Sequence, residues 1–278
     1  NMTVTVTDGT TLTLADQASI NGGILHLGGT SASVTGNGAC NLSRYEADVF
    51  LIYDLPGLKY FRDLINNSNN ASINAKLMPD IDLSGENWWP IGYYSDAEGV
   101  MQTKYCGTFD GNAHVVKNLY IHTDRNGDFG LFGRVWRGQV KDLGVVNATI
   151  IANGTTCHRA GVIVGTYVEN QPMLNCYASG HISFEGNFQM KGGVVAELNR
   201  ATLQNCYSAY ENIYSLNSAA GVIEDCEASL PANCHISGAV AYRLNAHATG
   251  GITAWGQLIG TDEHPVVQTA ENTLYNNG

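Results

Sequence analysis

The 278-residue chain carries 14 Lys+Arg against 25 Asp+Glu, a formal net charge of −11, with only 14% of its residues charged. Nucleic acid and anionic membranes both require a concentrated cationic surface, and no basic cluster is present, so neither is expected as a partner. No apolar run is long enough to span a bilayer and no charged-then-apolar signal segment opens the chain, so membrane insertion is not expected.

Residues 1–46 contain the short apolar or alternating runs Thr3-Val4-Thr5-Val6, Thr11-Leu12-Thr13-Leu14 and Ile24-Leu25-His26-Leu27. Asp8-Gly9, Gly22-Gly23 and Gly28-Gly29 separate them, a pattern of strands joined by turns that would form early coils or a cap. A helix is expected from about Pro56 to Asn66, with Pro at its start and Leu55, Leu58, Phe61, Leu64 and Ile65 on one face. From Ile73 to about Ile236 the chain reads as strands, and Ser237 to Gly278 loses the repeat, as a terminal cap should. The expected division is therefore 1–46, a main body over 47–236, and a closing segment over 237–278.

The strands of the main body repeat. Val116-Lys117-Asn118-Leu119-Tyr120, Val140-Lys141-Asp142-Leu143-Gly144, Met173-Leu174-Asn175-Cys176-Tyr177, Leu203-Gln204-Asn205-Cys206-Tyr207 and Ile223-Glu224-Asp225-Cys226-Glu227 share an Asn or Asp followed by Leu or Cys. Their Leu/Cys positions fall 24, 33, 30 and 20 residues apart. A strand recurring at that interval is the mark of a solenoid, in which each coil buries its inner face only by stacking on its neighbours. A second repeat runs out of phase: Gly130-Leu131-Phe132-Gly133, Gly161-Val162-Ile163-Val164-Gly165 and Gly192-Gly193-Val194-Val195-Ala196, so two strands per coil are expected. The fold class is all-β, a parallel β-helix with one short helix on its N-terminal side and a nonrepetitive C-terminal cap.

In such a stack Leu119, Leu143, Cys176, Cys206 and Cys226 are expected along one interior file. Asn118, Asp142, Asn175, Asn205 and Asp225 then form a structural ladder whose side chains hydrogen-bond from coil to coil. The alternative, a row of groups lining a groove for calcium or sugar, is disfavoured because amides mixed with two carboxylates lack the charge a hard cation needs. The seven cysteines contain no C-x-x-C pair, which excludes the close spacing of zinc ribbons and thioredoxin-like motifs; buried small hydrophobes are the expected role of the stacked ones.

Ala75 to Gly85, Trp88-Trp89-Pro90-Ile91-Gly92, Gly107-Thr108-Phe109-Asp110-Gly111-Asn112-Ala113-His114, Asn118-Leu119-Tyr120-Ile121 and Gly130-Leu131-Phe132-Gly133 together resemble the GLUG-motif repeat proteins. The resemblance is strong over residues 50–165, looser to 236, and touches the tail at 240–245 and 255–266. It implies a right-handed, single-stranded parallel β-helix in a secreted or cell-surface bacterial protein of the Bacteroidetes type. Similar repeats accompany immunoglobulin-A-specific metallopeptidases and adhesins, with no catalytic residue assigned to the repeats. Ala113 stands where the pattern prefers Gly, which suggests a turn without positive φ, and Trp89 is an additional aromatic beside Trp88.

No His is followed by the Glu of H-E-x-x-H, so a zinc peptidase site is not expected in this chain. Asp80 and Asp82 flank Ile81 and would share one face of a strand, the only carboxylate pair suggesting a pectinase-like hydrolase or lyase; hydrogen bonding at a coil edge is preferred for them. Asp124, Asn126 and Asp128 alternate like the start of a calcium loop, but Phe129 and Val135 occupy the positions of its Gly and bidentate Glu. No cofactor is expected. The functional expectation is a non-catalytic extracellular or cell-surface binding or stalk region, attached to further domains of a parent chain. It would present Trp89, Tyr93, Tyr94 and Trp136, with loops at 93–105 and 153–158, to a host glycan or extracellular protein.

Overall fold

The structure, a computed structural model, describes residues 2–28, 31–46, 48–67, 71–95, 102–169, 171–215, 223–227, 230–232, 235–242 and 273–274; for 155–158, 187 and everything from 209 onward it describes the backbone alone. It is a β-solenoid of parallel strands with one helix among the described residues.

Residues 3–46 form the first coils rather than an unrelated cap. Thr3–Val6, Ser19–Leu27 and Ala39–Glu46 stack in parallel, and Thr11–Thr13 lies on Ser33–Thr35. Val6, Leu25, Ala32 and Leu42 make a small core there. Ala39–Glu46 then pairs with Val49–Ile52 in the antiparallel sense, Arg44 opposite Leu51, and every other strand pairing among the described residues is parallel.

The helix, α1 (Leu55–Asn67), follows at once. Asp54 caps it: its Oδ1 accepts the Gly57 amide at 2.8 Å, and its Oδ2 accepts the Gly23 amide, tying the helix to the first coils. Gly57 is required because any Cβ there would run into the Ser43 side chain. Leu58, Phe61 and Ile65 are buried, and Phe61 packs on Phe50, Tyr105 and Phe109, so α1 closes the N-terminal end of the main core. Asn66 is buried as well, and is satisfied by the Pro90 carbonyl and the Gly92 amide, each at 2.8 Å.

Three strands, not two, make each main coil. One face runs Asn74–Leu77, Thr108–Asp110, Gln139–Lys141, Met173–Leu174, Thr202–Gln204 and Leu230–Ala232. The second runs Ile81–Asp82, Val115–Thr123, Gly144–Gly161, Tyr177–Gly192, Tyr207–Ser215 and His235–Tyr242. The third runs Phe132–Trp136, Val164–Val168, Val195–Asn199 and Ile223–Glu227. Stacking places like on like: Phe50, Ala75, Phe109, Val140, Met173 and Leu203 form one buried file, and Phe132, Val164 and Val195 another. His235–Tyr242 continues the stack across residue 237, and Thr273–Leu274 pairs on it, so the expected end of the repeat falls inside a strand. The rest of the closing segment lies outside the described residues.

The single file of five Leu/Cys positions is replaced by three. Leu143, Cys176 and Cys206 do align, since Gly144, Tyr177 and Tyr207 after them are in register. Leu119 instead pairs with Ala148, and Cys226 lies on the third face opposite Leu198. The Asn/Asp ladder divides in the same way. Asn175 donates to Asp142 at 2.7 Å and Asn205 to Asn175 at 3.2 Å, whereas Asn118 is joined by Asn147 at 3.1 Å and itself reaches Asp82; Asp225 pairs in register with Glu197. The physical reason is common to both ladders: Asn118, Asp142, Asn147, Asn175 and Asn205 all have φ between 53° and 60°. Asn and Asp tolerate that left-handed conformation, so the motif marks a corner, and each coil has more than one corner. Ala113 has φ 62°, contrary to the expectation that its turn needs no positive φ; its amide donates to Asp142 O across the coils, which fixes the strained conformation.

Candidate functional site

The four expected aromatics divide between two places, and none is a freely exposed platform. Trp89 and Tyr93 meet at one cleft of about 290 Å³, lined also by Arg62, Asp63, Asn66, Asn67, Thr103 and Arg125. Their ring centroids are 4.2 Å apart at 41°. Tyr93 is buried, and its hydroxyl donates to the Asn126 carbonyl; the Asp128 amide donates to Tyr94 O at 2.9 Å. Those two bonds fasten the turn at 123–127 against the segment at 91–95. Gly127 lies so close to the Tyr93 ring that a side chain would displace it. The outcome is that Arg125, exposed on that turn, holds its guanidinium 5.5 Å from the Trp89 ring. Arg62, on α1, pairs with Asp63 at 2.7 Å and lies 5.0 Å over Trp88, whose indole N–H donates to Leu131 O.

Tyr94 and Trp136 belong to a second array on the third face, and cations cover them. The Arg134 guanidinium is 3.4 Å from the Tyr94 ring centre, Lys104 Nζ is 4.7 Å from Trp136, and Arg137 is 4.5 Å from Trp136. Glu169 accepts from Arg137 at 3.1 Å and also from Trp136, and the Arg137 bond holds its carboxyl below the ordinary range. Among the described residues the exposed aromatics are elsewhere, at Tyr45 and Tyr120.

Asp80 and Asp82 do share an exposed face, but both are occupied. Asp80 accepts from Lys117 at 2.9 Å and from the Val115 amide, and has His114 Nδ1 at 3.3 Å. Asp82 accepts from the Asn118 amide group at 2.9 Å and from the amide and hydroxyl of Ser84. The Lys117 bond holds the Asp80 carboxyl below the ordinary value, and the Asn118 bond does the same to Asp82. A glycosidase needs one carboxyl raised enough to carry a proton, and neither of these is.

Asp124, Asn126 and Asp128 do not converge into a loop for calcium. Asp124 is exposed, Asn126 is fixed through its carbonyl, and Asp128 is buried, its carboxylate taken by Arg134 at 2.9 Å with Arg159 at 3.5 Å. Among the described residues no group of three or more His, Cys, Asp or Glu side chains could hold a metal ion. Cys40, Cys106, Cys176 and Cys206 are free thiols; Cys176 and Cys206 are buried, and burial pushes the Cys206 thiol well up. Cys157, Cys226 and Cys234 have no described side chains.

Sequence reasoning missed Asn147, although Asn147-Ala148-Thr149-Ile150 matches Asn118-Leu119-Tyr120-Ile121 at one coil's distance. It also missed Arg62 and Arg125, which lie 63 residues apart in the chain, 125 minus 62, and meet only through the fold. The loop at 93–105 is described only at its ends, and at 155–158 only the backbone is described.

Fold and site together define a parallel β-solenoid with a small mixed aromatic and cationic cleft beside α1. No family model matches the chain, so the GLUG resemblance rests on the motif residues alone. Over 150 residues, 52% of the chain, it is 27% identical to halomucin of Haloquadratum walsbyi, and it spans 2% of that protein's length. In architecture it is similar to the solved structure of a candidate immunoglobulin A1 protease from Bacteroides ovatus: TM-score 0.50 at 17% identity, covering 84% of this chain and 75% of that one. At that identity the likeness is one of fold. Among the described residues no helix is long and apolar enough to cross a membrane.

Proposed function

We propose that this chain is a non-catalytic glycan-binding segment of a larger secreted or cell-surface protein, with the Trp89–Tyr93 cleft as its binding site. The observation that carries this reading is the cleft itself: an aromatic pair and hydrogen-bonding side chains converge in one concavity, held by a rigid β-scaffold. A sugar ring presents apolar C–H faces and a rim of hydroxyls, which is the complement of that lining. The β-solenoid similar to the Bacteroides ovatus structure and the partial match to halomucin support an extracellular repeat region. A polysaccharide-cleaving role is disfavoured by Asp80 and Asp82, whose hydrogen bonds hold both carboxyls below the ordinary value, the opposite of what a general acid needs. An extracellular protein is the other partner class, and the aromatic and cationic array at Tyr94 and Trp136 is where it would dock.

The test is a glycan array and a panel of extracellular-matrix proteins probed with the wild-type chain and with Trp89→Ala. Retention on glycans that the substitution abolishes supports the proposal. Retention only on proteins, or a blank result on both panels, overturns it and leaves a different binding role or a spacer.

A further inference from the structure

The cleft is charged as well as aromatic, and its charges are arranged unequally. Arg62 is neutralised by Asp63 beside it on α1, at 2.7 Å. Arg125 projects from the turn at 123–127, and no carboxylate of the described residues lies within ion-pair distance of it. Among the described residues the lining thus carries two positive groups and one negative, a net charge of +1 in a protein of net charge −11. Basic residues are scarce, only 14 in the chain, so two in one concavity of about 290 Å³ form a local reversal of sign. Arg125 is also placed in advance: the Tyr93 hydroxyl pins its turn through Asn126, and the Trp89 ring seats its guanidinium. A planar fork already held in position loses little entropy when it accepts a carboxylate bidentately.

We propose, building on the glycan reading above, that the cleft selects a sugar bearing one carboxylate, a sialic or uronic acid unit. The Arg125 guanidinium takes the carboxylate, the half-buried Trp89, backed by the buried Tyr93 ring, takes the apolar face of the sugar, and Asn67 and the outer oxygen of Asp63 take hydroxyls. Asp63 decides between anions. A net +1 lining balances a single charge, whereas a dianionic phosphate or a multiply sulfated sugar would meet the Asp63 carboxylate uncompensated. The cleft, at about 290 Å³, lies slightly below the volume range of about 300–1,000 Å³ usual for drug-sized ligands, which suits recognition of a single sugar unit.

The experiment uses the full chain and four probes in calorimetric titration and saturation-transfer NMR. These are the methyl glycoside of N-acetylneuraminic acid, methyl glucuronide, methyl glucoside, and glucose 6-phosphate, which is close to dianionic at neutral pH. Wild type binds one of the two carboxylated probes, and binding weakens with added salt. Arg125→Gln, on an exposed turn, weakens it about tenfold or more, and Arg125→Lys recovers only part of that loss because a point charge lacks the fork. Trp89→Ala abolishes binding, with circular dichroism confirming the fold. Affinity for the glucoside equal to that for the better-bound carboxylated probe, stronger binding of the phosphate, or indifference to Arg125→Gln overturns the carboxylate assignment while leaving the glycan reading in place. A blank glycan array together with no binding of any probe overturns both.

Discussion

Substituting Asn175 separates two contributions that the ladder combines. Its side chain donates to Asp142 at 2.7 Å and accepts from Asn205 at 3.2 Å, and its backbone has φ 54°. Alanine removes both hydrogen bonds and leaves a β-carbon in the left-handed region. The conformational part costs about 1 kcal/mol and the two exposed bonds about 1–2 kcal/mol together, so Asn175→Ala loses roughly 2–3 kcal/mol. Glycine relieves the conformational part but restores neither bond, so Asn175→Gly loses only about 1–2 kcal/mol. Equilibrium urea unfolding followed by circular dichroism reads both values against wild type. The pH dependence adds an independent check. The Asn175 bond, more than that from Lys141, holds the Asp142 carboxyl below its ordinary value of 3.8. A depressed folded-state value adds stability above the unfolded value and loses it as pH falls through the folded one. The gap between wild type and Asn175→Gly must therefore narrow below about pH 4. If Asn175→Gly is as stable as wild type, the ladder contributes nothing, and if the Ala and Gly variants are equal, positive φ is not what selects Asn at this corner.

Four further outcomes are expected. Ala113→Gly relaxes a non-glycine residue at φ 62° on an exposed turn and raises stability by about 1 kcal/mol, seen as a higher urea midpoint; a lower midpoint would refute the strained conformation. Phe109→Ala empties a buried position between Ala75 and Val140 and costs about 3–5 kcal/mol, whereas a loss below 1 kcal/mol would mean that the file is not packed. The carboxyls of Asp80 and Asp82 should titrate below 3.8 by NMR, so the stability they add is complete above that value and is lost as pH falls through their folded-state values; titration at or above 4.5 in either would reopen an acid–base role. Thiol labelling of the native protein, read by peptide mapping, should mark Cys40 and Cys106 ahead of Cys176 and Cys206, which are fully buried; the reverse order would contradict their place in the interior file.

The solenoid was legible in the sequence because stacking repeats a chemical requirement at a fixed interval. Val140, Met173 and Leu203 must be apolar for the same reason, and the corner residues beside them must tolerate positive φ, so both signals recur together. What the spacing hid was which corner each signal marked. Asn118 and Asp142 read alike locally, yet one sits within Val115–Thr123 on the second face and the other between the first and second faces. The unequal interval of 24 residues from Leu119 to Leu143, against 33 from Leu143 to Cys176, is the trace of that difference. Gln139–Lys141, Gly144–Gly161 and Val164–Val168 are three strands separated by two residues each, too little for a turn signal, and so the middle strand, on the second face, was not distinguished from the two that carry the repeats. Trp89 and Tyr93 could be singled out as aromatics beside a loop. Their burial, and the arrival of Arg62 and Arg125, depend on α1 and a later turn meeting in space, which no local pattern encodes.

The most direct test of the account is a nitrogen-15 NMR spectrum of the chain with labelled Arg Nε and Trp Nε1 groups, recorded while a glycan retained on the array is added. The account predicts shifts concentrated at Trp89, Arg62 and Arg125, with Trp136 and Arg137 unmoved. Shifts concentrated at Trp136 and Arg137, with the cleft silent, would contradict it and move binding to the third face.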